Sequence, residues 1–263
     1  MSKLKIALLL GGKSGVREVS LKTGGIIYDA LDKDKYDVSK YDPKKDLLKL
    51  VKSIEKGHID LVFPALHGPM GEDGRLQGLL DMLEVPYVFS GCLASALAMN
   101  KAKTKKIAAA IGLDIAPYVI THHVNPEWIE GEIGWPVVIK PQELGSSVGM
   151  SIAKNKEELT KALNLAFEHG QEVMAEKFIS GRELTVTVMG KYRQGAALPV
   201  IEIKPKISEW FDFKAKYEAD GSEEICPAQI PENIRDTVQK QAVKIFNELG
   251  CKDLARADFI WVE

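Results

Sequence analysis

The chain has 263 residues, of which 45% are hydrophobic and 27% charged, and its formal net charge is −2. This is the composition of a soluble globular protein with roughly one large or two to three small domains. The balance of charge makes no case for nucleic acid or a membrane surface as a partner, and the run Lys101-Ala102-Lys103-Thr104-Lys105-Lys106 reads as a solvated helix face.

From the N-terminus, residues 1–10 form one strand-length apolar run without the pattern of a signal peptide. No stretch reaches the length of a membrane span, so the cytoplasm is the default compartment. Residues 4–10 are apolar on both faces and end at Gly11-Gly12, which predicts a central parallel strand. A helix is predicted over 20–31, a strand over 36–41, a helix over 46–56 stopped by Gly57, and a strand over 59–65. A helix over 75–84 and a strand over 85–90 follow. This alternation predicts a doubly wound α/β layer with a mostly parallel sheet.

Residues 92–111 read as one long helix ending at Gly112 and leaving the first domain. Strands are predicted over 118–121, 135–140, 150–153 and 172–178, with an amphipathic helix over 156–168. Together they make a small α+β unit. The pattern then turns to antiparallel β, with paired strands over 183–189 and 196–204, a helix over 231–249 and a strand over 254–262. The three cysteines, Cys92, Cys226 and Cys251, show neither metal spacing nor a disulfide framework.

Several segments carry polar chemistry. Lys140-Pro141 followed by Gly145-Ser146-Ser147-Val148-Gly149 combines a point cation with a small-residue loop, which suits phosphate, although such loops are also plain turns. Gly11-Gly12-Lys13-Ser14 has the end of a P-loop, but Ala7 stands where that motif needs its first glycine, and the dinucleotide fingerprint is absent too. What remains is a glycine turn at the carboxyl end of a strand, where open α/β sheets bind ligands. His67-Gly68-Pro69-Met70-Gly71-Glu72-Asp73-Gly74 is a tight polar loop at the same edge, in which His67 is either functional or a turn residue. The linker from Glu176 through Lys177, Phe178, Ile179, Ser180, Gly181 and Arg182 to Glu183 either holds an adenine or is a plain hairpin connection. Arg256 and Asp258, two apart on a strand, share a face as an ion pair or as an anion clamp beside a magnesium ligand.

These segments resemble, in order and separation, the D-alanine:D-alanine ligases of the ATP-grasp superfamily. The likeness runs over essentially the whole chain. It is carried by Gly11-Gly12 with Glu18-Val19-Ser20, Ala65-Leu66-His67-Gly68 with Gly71 to Gly74, and Met99-Asn100-Lys101. Further segments are Ile139-Lys140-Pro141 with Gly145 to Met150, Ala175-Glu176-Lys177, and Asp212 to Tyr217 with Cys226-Pro227-Ala228.

The resemblance implies a Rossmann-like pre-ATP-grasp domain over 1–98 and a two-part ATP-grasp fold over 99–182 and 183–263. It implies phosphoryl transfer from ATP to the carboxylate of one D-alanine, then attack by the amine of a second to give D-alanyl-D-alanine for peptidoglycan. By resemblance, Lys101 and Lys140 bind phosphates and Ser146 lies near the first substrate and the transferred phosphate. Glu176, Lys177 and Ile179 clamp adenine, and Glu183 takes the ribose. Lys216 and Tyr217 belong to a closing loop, and the tyrosine resembles the dipeptide-forming branch. His67 lies near phosphate and first substrate, Arg256 stabilises an oxyanion, and Asp258 binds Mg2+ or Mn2+. A homodimer through the first domain is also implied.

Two departures stand out. The family's glutamate two residues before the Glu-Val-Ser segment is Val16 here. The family's Glu-x-Asn metal ligands and the glycine/serine loop for the second substrate would come after Glu263, so the last ATP-grasp part is expected to be incomplete. The alternatives are an ATP-binding homologue without turnover, or a carboxylate–amine ligase with a different first substrate. A nicotinamide-linked oxidoreductase is disfavoured by the missing glycine fingerprint.

Overall fold

The computed structural model describes residues 2–145, 147–207 and 220–263. The chain divides into two compact units, Met1–Leu97 and Ala98–Glu263.

In the first unit, β1 (Leu4–Leu9) pairs in parallel with β2 (Tyr36–Tyr41) on one side and β3 (Leu61–Pro64) on the other. Its residues Ile6, Ala7, Leu8 and Leu9 are all buried, as a strand covered on both faces requires. The crossovers are α1 (Arg17–Ala30) and α2 (Pro43–Glu55). α2 starts three residues before the expected position 46: Asp42 accepts from the Lys44 N–H, and Pro43 occupies the first turn, where its missing donor costs nothing. The core gathers Leu9, Tyr41, Leu50, Ile54, Val62 and Leu80, the last from α3 (Arg75–Met82).

The strand expected over 85–90 does not form. Its backbone pairing with β3 is a single parallel bridge between Val62 and Tyr87. Pro86 contributes a carbonyl to Val62 but has no N–H, and Phe89 adopts φ 76°, which turns the chain out of the sheet plane.

The helix expected over 92–111 is two helices, α4 (Cys92–Met99) and α5 (Lys101–Ala110). Asn100 between them is extended, and its side chain accepts from the Lys103 N–H, so it caps α5 instead of continuing α4.

The second unit holds two antiparallel sheets. The first runs β4 (Tyr118–Thr121), β7 (Val173–Lys177), β5 (Val137–Pro141), β6 (Ser151–Ala153) in spatial order. α6 (Pro126–Ile133) and α7 (Lys156–Phe167) bury Ile129, Leu159 and Leu163 against Val137, Ile139, Val173 and Ala175. The residues between them on β5 and β7, Val138, Lys140, Met174 and Glu176, therefore point to the opposite face. α6 was not foreseen, although Asn125-Pro126-Glu127 is a helix start, with Asn125 accepting from the Trp128 N–H.

The other sheet has the order β11 (Ser222–Ile225), β10 (Ile201–Pro205), β8 (Arg182–Lys191), β12 (Asp253–Trp261), and β9 (Gln194–Ala197) also pairs with β8. The segment expected as one strand over 196–204 splits into β9 and β10, with Pro199 in the gap. β8 and β12 match residue for residue from Arg182↔Trp261 to Gly190↔Asp253. At Gly190 a Cβ would lie 2.1 Å from the Gln194 carbonyl oxygen, so only glycine admits the β8–β9 turn. α8 (Glu232–Leu249) buries Val238, Ala242, Phe246 and Leu249 and ends at Gly250 with φ 70°. Among the described residues, no helix is long and apolar enough to cross a membrane.

Candidate active site

In the second unit the polar centre lies on the face of β5 and β7 that α6 and α7 leave uncovered. Val138 pairs with Glu176, and Lys140 lies one pleat further along on that face. The Lys140 ammonium reaches diagonally to Glu176 Oε2. The other oxygen, Oε1, is taken by Lys105 from α5. The Glu176 side chain is only 9% exposed. Burial pushes its pKa up, but the fields and hydrogen bonds of Lys140 and Lys105 outweigh that, and the net displacement is downward. Glu176 is a buried carboxylate held ionised by two ammonium groups.

Lys105 also donates to the Ala116 carbonyl at 3.1 Å and lies 5.2 Å from the centroid of the Tyr118 ring on β4. Its side chain is 17% exposed, against the sequence reading of a solvated run. Nothing in residue types alone separates it from Lys103 and Lys106. The available signal was its spacing of four from Lys101, which places both on one helix face.

Lys101, in the first turn of α5, donates to the carbonyls of Pro141 at 2.8 Å, Gln142 at 3.4 Å and Leu144. It thereby fixes the segment that leads from β5 into the small-residue loop. That loop continues with Ser147 at φ 57° and Gly149 at φ 68°. A Cβ on Gly149 would lie 2.5 Å from His169 Cδ2 and 2.9 Å from Pro141 Cγ. The loop's far end is thus closed by close packing as well as by backbone conformation. Ser146 lies outside the described residues, as do Lys216 and Tyr217.

Past β7, Lys177 donates to the Trp135 carbonyl at 3.0 Å, Ile179 is half-buried, and Glu183 is half-buried on β8. On β12, Arg256 and Asp258 share a face: Arg256 Nε lies 3.0 Å from Asp258 Oδ1, and Nη2 lies 3.2 Å from Oδ2. Thr185, the register partner of Asp258 on β8, donates its hydroxyl to Oδ1 at 2.7 Å. Sequence reasoning missed Thr185 because it is defined by strand register. Among the described residues there is no group of three or more His, Cys, Asp or Glu side chains that could hold a metal ion.

The first unit has its own polar cluster. The Ser14 hydroxyl donates to the His67 carbonyl at 2.7 Å, and Ser20 links the Gly11 N–H to the Ala65 carbonyl. The His67 ring lies 3.1 Å from Thr23 Oγ1 through Nε2 and 3.9 Å from Glu72 through Nδ1. The amides of Gly11 and Gly12, expected at a ligand-binding turn, are spent internally on Ser20 and on Asp42. Asp42 forms a two-point pair with Arg17, at 2.6 and 3.1 Å, and those hydrogen bonds hold its carboxyl well below the usual range. Val16, 5% exposed, stands at the N-cap of α1 without a side-chain cap bond, and its Cγ2 lies 3.4 Å from where a Cβ of Gly68 would be.

Comparison with known proteins agrees along the chain. The family model described as D-ala D-ala ligase C-terminus matches residues 107–263, and that described as D-ala D-ala ligase N-terminus matches residues 40–92. A D-alanine–D-alanine ligase of Syntrophobacter fumaroxidans is 43% identical over 262 residues, which cover 98% of this chain and 83% of that protein. One from Pelotomaculum thermopropionicum is 44% identical over 266 residues, covering 98% and 82%. Among solved structures, the D-alanine–D-alanine ligase of Bacillus anthracis complexed with ATP superposes with a TM-score of 0.82 at 30% identity, covering 99% of this chain and 82% of that one. The VanG D-Ala:D-Ser ligase of Enterococcus faecalis gives a TM-score of 0.81 at 30% identity, covering 98% and 86%.

Proposed function

We infer how this chain works from one premise: it belongs to the D-alanine–D-alanine ligase family. Its fold is that of the ATP-grasp ligases, its nucleotide is ATP, and its activity is the ATP-dependent joining of two D-alanines for peptidoglycan synthesis. The observation that carries this is the co-linear match to such ligases along nearly the whole chain.

The residue roles are our proposal. Joining a carboxylate to an amine requires a leaving group, which ATP supplies by phosphorylating the first D-alanine. The remaining task is positioning and charge neutralisation. Lys140 exchanges Glu176 for a phosphate oxygen, while Glu176, Lys177 and Ile179 hold adenine and Glu183 takes the ribose hydroxyls. Lys101 steadies the loop carbonyls and adds positive charge near the phosphates. Support comes from the excess of cation here, where two ammonium groups share one carboxylate and a third, that of Lys101, holds the carbonyls after β5. Ser146, Lys216 and Tyr217 complete the phosphate side and the covering loop.

His67 steadies the first D-alanine, and Arg256 donates to the oxyanion when the second amine attacks the acyl phosphate. Asp258 with the nucleotide's own phosphates is a donor set that suits Mg2+ or Mn2+, which takes few protein carboxylates. Such an ion would offset phosphate charge. Within the second unit, 99–182 and 183–263 serve as the two ATP-grasp parts after a first domain over 1–98. The use of ATP supports a cytoplasmic enzyme, and a homodimer through the first domain is proposed from the family resemblance.

The test is phosphate release from ATP with D-alanine as sole acceptor, with the dipeptide identified by mass. Release that requires D-alanine supports the proposal. Equal or greater release with D-serine, D-lactate or acids lacking an α-ammonium group would reassign the substrate, and no release with any of them would leave an ATP-binding homologue.

A further inference from the structure

The two lysines on Glu176 are not equivalent. Lys140 stands on a strand end beside the small-residue loop. Lys105 is tied at its other side to the Ala116 carbonyl and the Tyr118 ring, away from that loop. Among the described residues, the charged and titratable groups facing Glu176 are Lys105 from α5, Lys140 from β5 and Tyr118, its register partner on β4. α6 and α7 cover the other face of the sheet.

A buried carboxylate that loses its sole counter-ion is strongly unfavourable. If Lys140 alone balanced Glu176, its transfer to a phosphate would strand a nearly buried negative charge. That charge would then have to take up a proton, or Lys140 would have to stay. A second, immobile ammonium removes the conflict.

We propose that Lys105 is a positioning residue that acts as the standing counter-ion of Glu176, so that Lys140 is free to move to an ATP phosphate while Glu176 stays ionised. This rests on the assignment of Lys140 to phosphate and Glu176 to the adenine side. No bond forms or breaks. A cation changes partner and the carboxylate keeps one.

The test uses the full chain and isothermal titration with ATP and with adenosine, in buffers of different ionisation enthalpy. In the parent protein, ATP binding takes up no proton at Glu176. In Lys105→Met, ATP affinity at neutral pH falls by at least about tenfold. ATP binding then takes up close to one proton and tightens as pH falls, because the lone carboxylate is protonated only in the complex. Lys105→Arg restores both affinity and the absence of proton uptake. In the Glu176→Gln background, adding Lys105→Met changes ATP affinity little, since a neutral amide needs no counter-ion.

Parent-like affinity without proton uptake in Lys105→Met overturns the inference. So does a full loss that persists in the Glu176→Gln background, which would mark a purely structural lysine. Should Lys105→Met fail to fold, rescue of its folding by Glu176→Gln supports the counter-ion role, and failure to rescue removes it. The parent reading is tested separately by Lys140→Ala. If that variant keeps the preference for ATP over adenosine, the phosphate assignment is wrong. If it loses the preference while Lys105→Met is silent, only the role of Lys105 fails.

Discussion

Lys101 and Lys105 stand one helical turn apart on α5 and hold different kinds of acceptor: Lys101 the neutral carbonyls after β5, Lys105 the carboxylate of Glu176. One helix face thus sets both the loop that leads to Ser146 and the charge state of the neighbouring strand. The two interactions respond to different perturbations.

Removing the first should loosen the loop without changing charge on the sheet. Lys101→Ala leaves the Pro141, Gln142 and Leu144 carbonyls without that donor, at a cost of roughly 1–3 kcal/mol. The expected result is a lower urea midpoint and a higher KM for ATP, with adenosine affinity close to the parent. An unchanged KM for ATP would remove Lys101 from the phosphate side.

Acid stability should depend on Asp42. Its folded-state pKa is depressed by the Arg17 hydrogen bonds, so its contribution is present above the unfolded carboxylate value of about 4 and is lost as pH falls through the folded value. Asp42→Asn should therefore lower the urea midpoint at pH 7, and the gap between parent and variant should narrow steadily as pH falls below about 4. Parallel midpoint-against-pH curves for parent and variant would contradict the pairing.

Val16 lies at the start of α1, against Gly68 and hence beside the His67 loop. Val16→Glu should lower the KM for the first D-alanine by supplying a carboxylate for its ammonium. Free protein should lose about 1–3 kcal/mol of stability, because the carboxylate replaces a buried methyl pair. A KM that stays level or rises, measured with ATP saturating, would count against the reading of this position.

Thr185→Val keeps shape but removes the hydroxyl that orients Asp258. The expected outcome is a several-fold higher Mg2+ concentration for half-maximal activity, with stability within about 1 kcal/mol of the parent. If the Mg2+ titration is unmoved, the Thr185–Asp258 bond has no part in metal binding.

Much of the frame was legible because it rests on local signals. The residues of β2 were read to the last position, whereas α2, expected from residue 46, starts at Pro43 behind the Asp42 cap, and the Asn100 cap that starts α5 was not read. Misreadings arose where one residue overrode a longer pattern. Asn100 interrupted an otherwise continuous helical run, and Pro86 with Phe89 prevented a strand that composition favoured. In the candidate site, Lys140 and Glu176 were both named as candidates, but their contact was not read, since it depends on the β5–β7 register. Lys105 and Thr185 were hidden for the same reason: each is defined by what lies across from it.

The β8–β12 ladder constrains the protein in another way. Because nine consecutive pairs run from Arg182 to Gly190, every side chain on β8 is committed to one face of the sheet. Inserting or deleting a single residue within that span would send Glu183 and Thr185 to the wrong side together, while leaving composition almost untouched. Gene length in this stretch should be far less free to drift than the identity of its outward-facing codons.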